Sequence, residues 1–74
     1  MDQTLASAEL QIERKHITIE FRENPRGRFL RITEEAHGRR NTVIVPGPGL
    51  PDFLNAIATV LTQAGESSSS APAA

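Results

Sequence analysis

Two runs of alternating residues dominate the middle of the chain. Ile17, Ile19 and Phe21 alternate with Thr18, Glu20 and Arg22, and Leu30 and Ile32 alternate with Phe29, Arg31 and Thr33. A period of two is that of a strand with one buried face. The runs predict strands over His16–Glu23 and Arg28–Glu34, joined by Asn24-Pro25-Arg26-Gly27, where Pro25 fixes φ and Gly27 accepts a positive φ. Ahead of them, Leu10 and Ile12 alternate with Glu9, Gln11 and Glu13, which predicts a first strand over Ala8–Glu13. The apolar parity changes between Ile12 and Ile17, so a short turn or bulge is expected at Arg14-Lys15. After the polar connection Glu35–Arg39, the β-branched run Thr42-Val43-Ile44-Val45 predicts a fourth strand, Arg40–Val45, more buried than the others.

The period then changes. Pro46-Gly47-Pro48-Gly49 ends the last strand, and Leu50, Phe53, Leu54, Ile57, Val60 and Leu61 recur at the spacing of one helical face. Pro51 suits a first helical turn, Asp52 suits the positive end of the dipole, and Gly65 suits the position just past the C-terminus. The pattern is ββββα, an α+β unit of four antiparallel strands and one helix over residues 8–65. Residues 1–7 are expected to be a flexible terminus, and 66–74, made of glutamate, serine, alanine and proline, a disordered tail. About 60 ordered residues bury little surface alone, and one helix covers only part of one sheet face. A homodimer with a shared core is therefore expected.

Composition narrows the function. No cysteine is present, which excludes a disulfide framework and a thiolate metal site. No stretch reaches the ~20 apolar residues of a membrane span, and no signal peptide is visible. The expectation is a cytoplasmic protein without a membrane partner, nucleoid-associated in a bacterium, with the nucleus open in a eukaryote. Formal net charge is −1, yet all eight basic residues fall between Arg14 and Arg40, and seven are arginine. Segregated charge says more about partners than the total does.

The alternation leaves one oddity. With Leu30 and Ile32 facing the core, Phe29 shares the other face with Arg31 and Thr33. A ring among arginines offers stacking and phosphate neutralisation to a single-stranded nucleic acid. An amphipathic hairpin with Phe29 covered by a partner chain accounts for the same pattern. Asn24 either meets a base or forms the turn, and Arg28, on the parity of Leu30, belongs at the sheet end. Arg39 and Arg40 either extend a phosphate track or sit in a solvated turn.

The segments Leu10-Gln-Ile-Glu-Arg-Lys15, Ile19-Glu-Phe-Arg-Glu-Asn24 and Arg26-Gly-Arg-Phe-Leu-Arg-Ile-Thr-Glu34 resemble a PUR repeat, as found in the purine-rich element binding proteins and their single-repeat bacterial relatives. Gly38-Arg39-Arg40 and Asp52-Phe53-Leu54 sit at matching distances. The resemblance implies a PUR fold, similar to the Whirly and PC4-like single-strand binders, in which two ββββα repeats intertwine; a single repeat would do so as a homodimer. It implies binding of single-stranded DNA or RNA with a purine-rich or G-rich preference, and a role in transcription regulation. By matching position, the contacts would be Arg22, Asn24 and Arg26 around the turn and Phe29 and Arg31 on the third strand; Arg28 and Arg39 are kept as candidate phosphate contacts. The chain departs from the pattern at Ile17 and Thr18, where family members carry aromatics, at Glu23, expected to weaken phosphate binding, and in the Pro46–Pro51 linker.

No small-molecule cofactor or metal is implied. His16 and His37 are isolated, no catalytic constellation is visible, and an enzyme is not expected. The rival to nucleic-acid binding is a protein-interaction or dimerisation module in which Phe29 and the arginines meet another protein.

Overall fold

The computed structural model describes residues 2–65. Four strands run in order β1 (Gln3–Ile12), β2 (Lys15–Asn24), β3 (Gly27–Ala36) and β4 (Arg39–Pro46), followed by a short 3-10 turn at Gly47–Gly49 and the helix α1 (Leu50–Gln63). The strands form one antiparallel meander, each beside its sequence neighbours, so β1 and β4 are the edges. Residues 66–74, the expected tail, lie outside the described residues.

Each hairpin closes with a two-residue loop. Ile12 pairs with Lys15, Asn24 with Gly27 and Ala36 with Arg39. His37 and Gly38 both have positive φ, the backbone of a type I′ turn, whose twist matches that of the strands it joins. An even-length loop pairs even positions with odd ones. The parity change between Ile12 and Ile17 is therefore the signature of a tight turn at Glu13-Arg14, and no bulge is needed there. The bulge lies elsewhere, at Leu5, where the register slips between Thr4 and Ala6.

Two sequence-based expectations need correction. β1 begins at Gln3, so residues 3–7 continue the strand instead of forming a loose terminus; their small, polar side chains carry no alternation, but their backbone pairs with β2 as far as Gln3 opposite Glu23. β4 is not the most buried strand. It is an edge, and only Val45 falls below one-tenth exposure, while Val43 and Ile44 stay open. β-branching reports fitness for a pleated surface, not a central position.

The register sorts the side chains onto two faces. One face is apolar: Ala6, Phe21, Leu30 and Val45 form a row across the sheet, and Ala8, Ile19, Ile32 and Val43 form the next. The other face carries Thr4, Arg22, Phe29 and Pro46, then Ser7, Glu20, Arg31 and Ile44, then Glu9 and three threonines.

The linker proline-glycine run has a local cause. A Cβ on Gly47 would sit 2.8 Å from the Arg28 carbonyl oxygen, so the chain crosses β3 where only glycine fits. Leu50 then starts α1, with Pro51 and Asp52 in its first turn. At the far end Gly65 has a positive φ, and its amide donates to the Thr62 carbonyl at 3.0 Å. The helix stripe is only partly covered among the described residues: Phe53 and Leu61 are half-buried, Ala56, Ile57 and Val60 are exposed, and the five line an apolar groove made of helix residues alone. No helix among the described residues is long and apolar enough to cross a membrane.

Candidate nucleic-acid interface

The tip of the β2–β3 hairpin is built around Asn24. Its side-chain oxygen accepts a hydrogen bond from the Arg26 amide at 2.9 Å, an Asx turn that holds Pro25 and Arg26 at the apex. Asn24 therefore serves the turn. Beside it an open cleft of about 470 Å³ is lined by Asn24, Arg26, Gly27, Arg28, Phe29, Ile44 and Pro46. Phe29 is half-buried, flanked by Arg22 on one side and Pro46 on the other, on the face opposite Leu30.

Arg31 lies one row along the same face, directly across from Glu20. The Glu20 carboxylate accepts from Arg31 at 2.6 Å and 2.8 Å, and its second oxygen lies 3.6 Å from Arg22 Nη1. Glu20 is thus wedged between the two guanidinium groups nearest Phe29. Arg22 is only 14 % exposed; its terminal nitrogens meet Thr4 and, at 3.9 Å, Asp2, while its Nε is buried with no partner among the described residues. A buried, unpaired N–H is a donor aimed at nothing in the protein.

Arg28 and Glu23 lie opposite each other on the apolar side of the hairpin and pair at 3.3 Å, both largely exposed. Glu23, expected to weaken phosphate binding, is therefore occupied on the other face from Phe29; Glu20 is the acid that faces the candidate contacts. It reads as one more polar position in an alternating strand. The signal that exposes it is the hairpin register: once Asn24 is set opposite Gly27, Glu20 falls opposite Arg31.

The remaining candidate is set apart. Arg39 pairs with Ala36 at the opposite end of the sheet from Phe29 and Pro46. There Arg40 is paired with Glu35, Nε to Oε2 at 2.9 Å. Lys15 reaches Glu34 at 2.7 Å, and that bond holds the Glu34 carboxyl below and the Lys15 ammonium above their ordinary values. His16 lies 3.5 Å from Glu9 and within hydrogen-bond distance of Gln11. The structure so brings Arg22, Asn24, Arg26, Phe29 and Arg31 together, places Arg28 at their margin, and separates Arg39 from them.

The chain is thus an open four-stranded meander with an arginine-flanked aromatic on its polar face and exposed apolar residues, among them Leu10 and Val43, on the other. The chain matches, over residues 1–73, the family described as PurA ssDNA and RNA-binding protein. It is also 44% identical over 54 residues, 73% of its own length, to Transcription factor Pur-alpha 1 of Arabidopsis thaliana. The chain belongs to the PurA family, one of nucleic-acid-binding proteins. It spans 18% of the length of that curated relative. No solved structure matches it.

Proposed function

We propose that this chain binds single-stranded DNA or RNA as a homodimer, on the polar face of its sheet. Membership of a single-strand-binding family supports the ligand class. The observation that carries the reading is the placement of Phe29 between Arg22 and Pro46, with Arg31 in the next row. A base stacks on the ring while Arg26 and the outer donors of Arg22 and Arg31 meet phosphate oxygens. A purine-rich preference follows from the larger stacking surface of purines.

The dimer rests on exposed surface. Among the described residues, Leu10 and Val43 on the sheet and Ile57 and Val60 on the helix are large apolar groups left exposed in a single protomer. A second copy supplies what each lacks, a helix stripe for the sheet and a sheet for the helix stripe.

Fluorescence anisotropy with a labelled G-rich single strand, at two salt concentrations, tests the reading. Stacking is worth about 1–3 kcal/mol per base, so Phe29→Ala weakens binding by roughly fivefold to a hundredfold. Pairing of Arg22, Arg31, Arg28 and Arg40 with glutamates favours the rival protein-interaction module. That rival predicts no binding, or binding indifferent to Phe29.

A further inference from the structure

Most cations of the sheet are neutralised in place. Arg22, Arg28, Arg31, Arg40 and Lys15 each lie within 4 Å of a carboxylate. Among the described residues, Arg14, Arg26 and Arg39 have no such partner. Arg26 sits at the hairpin tip beside Phe29. Arg14 and Arg39 sit at the opposite end, where the β1–β2 and β3–β4 turns lie side by side.

Those two turns frame an open cleft of about 610 Å³, lined by Arg14, His16, His37, Arg39 and Arg40 among others. Its only acid is Glu35, already held by Arg40. The cleft is continuous with the Phe29 face. Gln11, His16, Glu35 and Arg40 are the last row of that face, and Thr18, Thr33 and Thr42 form the row before it. Between the two unpaired cationic ends the face carries the Glu20–Arg31 pair and then three threonine hydroxyls, which bond to phosphate or sugar oxygens without adding charge, with Glu9 confined to the β1 edge of their row. The ten residues of β2 span roughly 30 Å, longer than a contact with one or two stacked bases requires.

We propose that Arg14 and Arg39 form a second phosphate subsite, which takes the backbone of a strand that stacks on Phe29 and crosses the threonine row. The proposal rests on the single-strand reading and deepens it by assigning a path and a footprint. Single-strand binders cover about 4–16 nucleotides per module; at the ~3.4 Å rise of a stacked strand, a separation of roughly 30 Å corresponds to about nine nucleotides, the middle of that range.

Affinities of G-rich oligodeoxynucleotides of about 4 and about 12 nucleotides, measured by anisotropy, test it. Arg14 lies in the β1–β2 turn and Arg39 at the first position of β4, both exposed, so replacing both with alanine leaves the fold intact, which thermal unfolding checks. The double variant is expected to bind the long oligonucleotide roughly tenfold more weakly, with a salt slope lower by about 0.7 for each phosphate no longer neutralised, and the short one unchanged. Arg26→Ala is the reciprocal control and weakens both lengths. Equal effects on the two lengths, or none on the long one, overturn the second subsite. If Phe29→Ala weakens the short oligonucleotide in the same experiment, the single-strand reading survives that failure; if it does not, both fall.

Discussion

Glu20→Gln separates affinity from stability. The carboxylate bridges Arg22 and Arg31, 2.6 Å from one and 3.6 Å from the other. A phosphate held by the outer guanidinium donors lies roughly 6 Å from it, a repulsion of about 0.7 kcal/mol in water-like surroundings and about 2.8 kcal/mol at an effective dielectric of 20. The amide removes that repulsion and still accepts hydrogen bonds through its oxygen. Binding should tighten by about threefold or more, most at low salt, where screening is weakest. Folding should move the other way. Arg22 is nearly covered and already carries one unpaired N–H, so loss of the charge-assisted pairs costs about 0.5–2 kcal/mol, discounted because Arg31 is 36% exposed. Anisotropy titration and thermal unfolding of the same sample read both quantities. If affinity and stability fall together, Glu20 positions the arginines for the ligand, and the claim that it competes with phosphate is refuted.

Three further outcomes follow from the packing. Gly47→Ala drives a methyl group against the Arg28 carbonyl at 2.8 Å, and denaturant unfolding should show a loss of about 1–3 kcal/mol. Val60→Asp puts a charge on the uncovered helix stripe, 61% exposed in a single protomer, so it should spare an isolated chain but break the dimer; sedimentation would show dissociation at concentrations where the parent is dimeric, and an unaltered dimer would place the interface elsewhere. Glu34 is held below its ordinary value first by the bond from Lys15, then by that from Asn41. Its folded form binds fewer protons than its unfolded form, so its contribution is present above the unfolded value and is lost as pH falls through the lowered one. The raised Lys15 value acts at the opposite limit, its contribution disappearing as pH rises through it. Carboxyl NMR titration locates the Glu34 midpoint, and Lys15→Ala should return it toward the ordinary value.

Much of the fold was legible in the chain because tight hairpins convert sequence parity into sheet faces. Ile17, Ile19 and Phe21 on odd positions, then Leu30 and Ile32 on even ones, then Val43 and Val45 on odd ones, end on one face because each loop has two residues. The same arithmetic put Phe29 on the other face, with Arg31. The helix was legible through its stripe, and its Gly65 end through the need for a positive φ. Cross-strand information was not. The start of β1 is carried by backbone pairing of small residues, and its one large apolar residue there, Leu5, lies at the bulge. Burial of β4 depends on its edge position, which β-branching does not encode. Glu20 bridging two arginines, Glu23 turned away toward Arg28, and Arg39 parted from the hairpin tip are facts of register and sheet length, visible only after the strands are laid side by side.

The central claim is that a base lies against the side chain at position 29. The chain contains no tryptophan or tyrosine, so Phe29→Trp installs a single reporter there. Addition of a G-rich single strand should quench its emission in step with the anisotropy of the labelled strand, because a stacked base touches the indole. Binding that saturates by anisotropy while the indole emission stays constant would contradict the account.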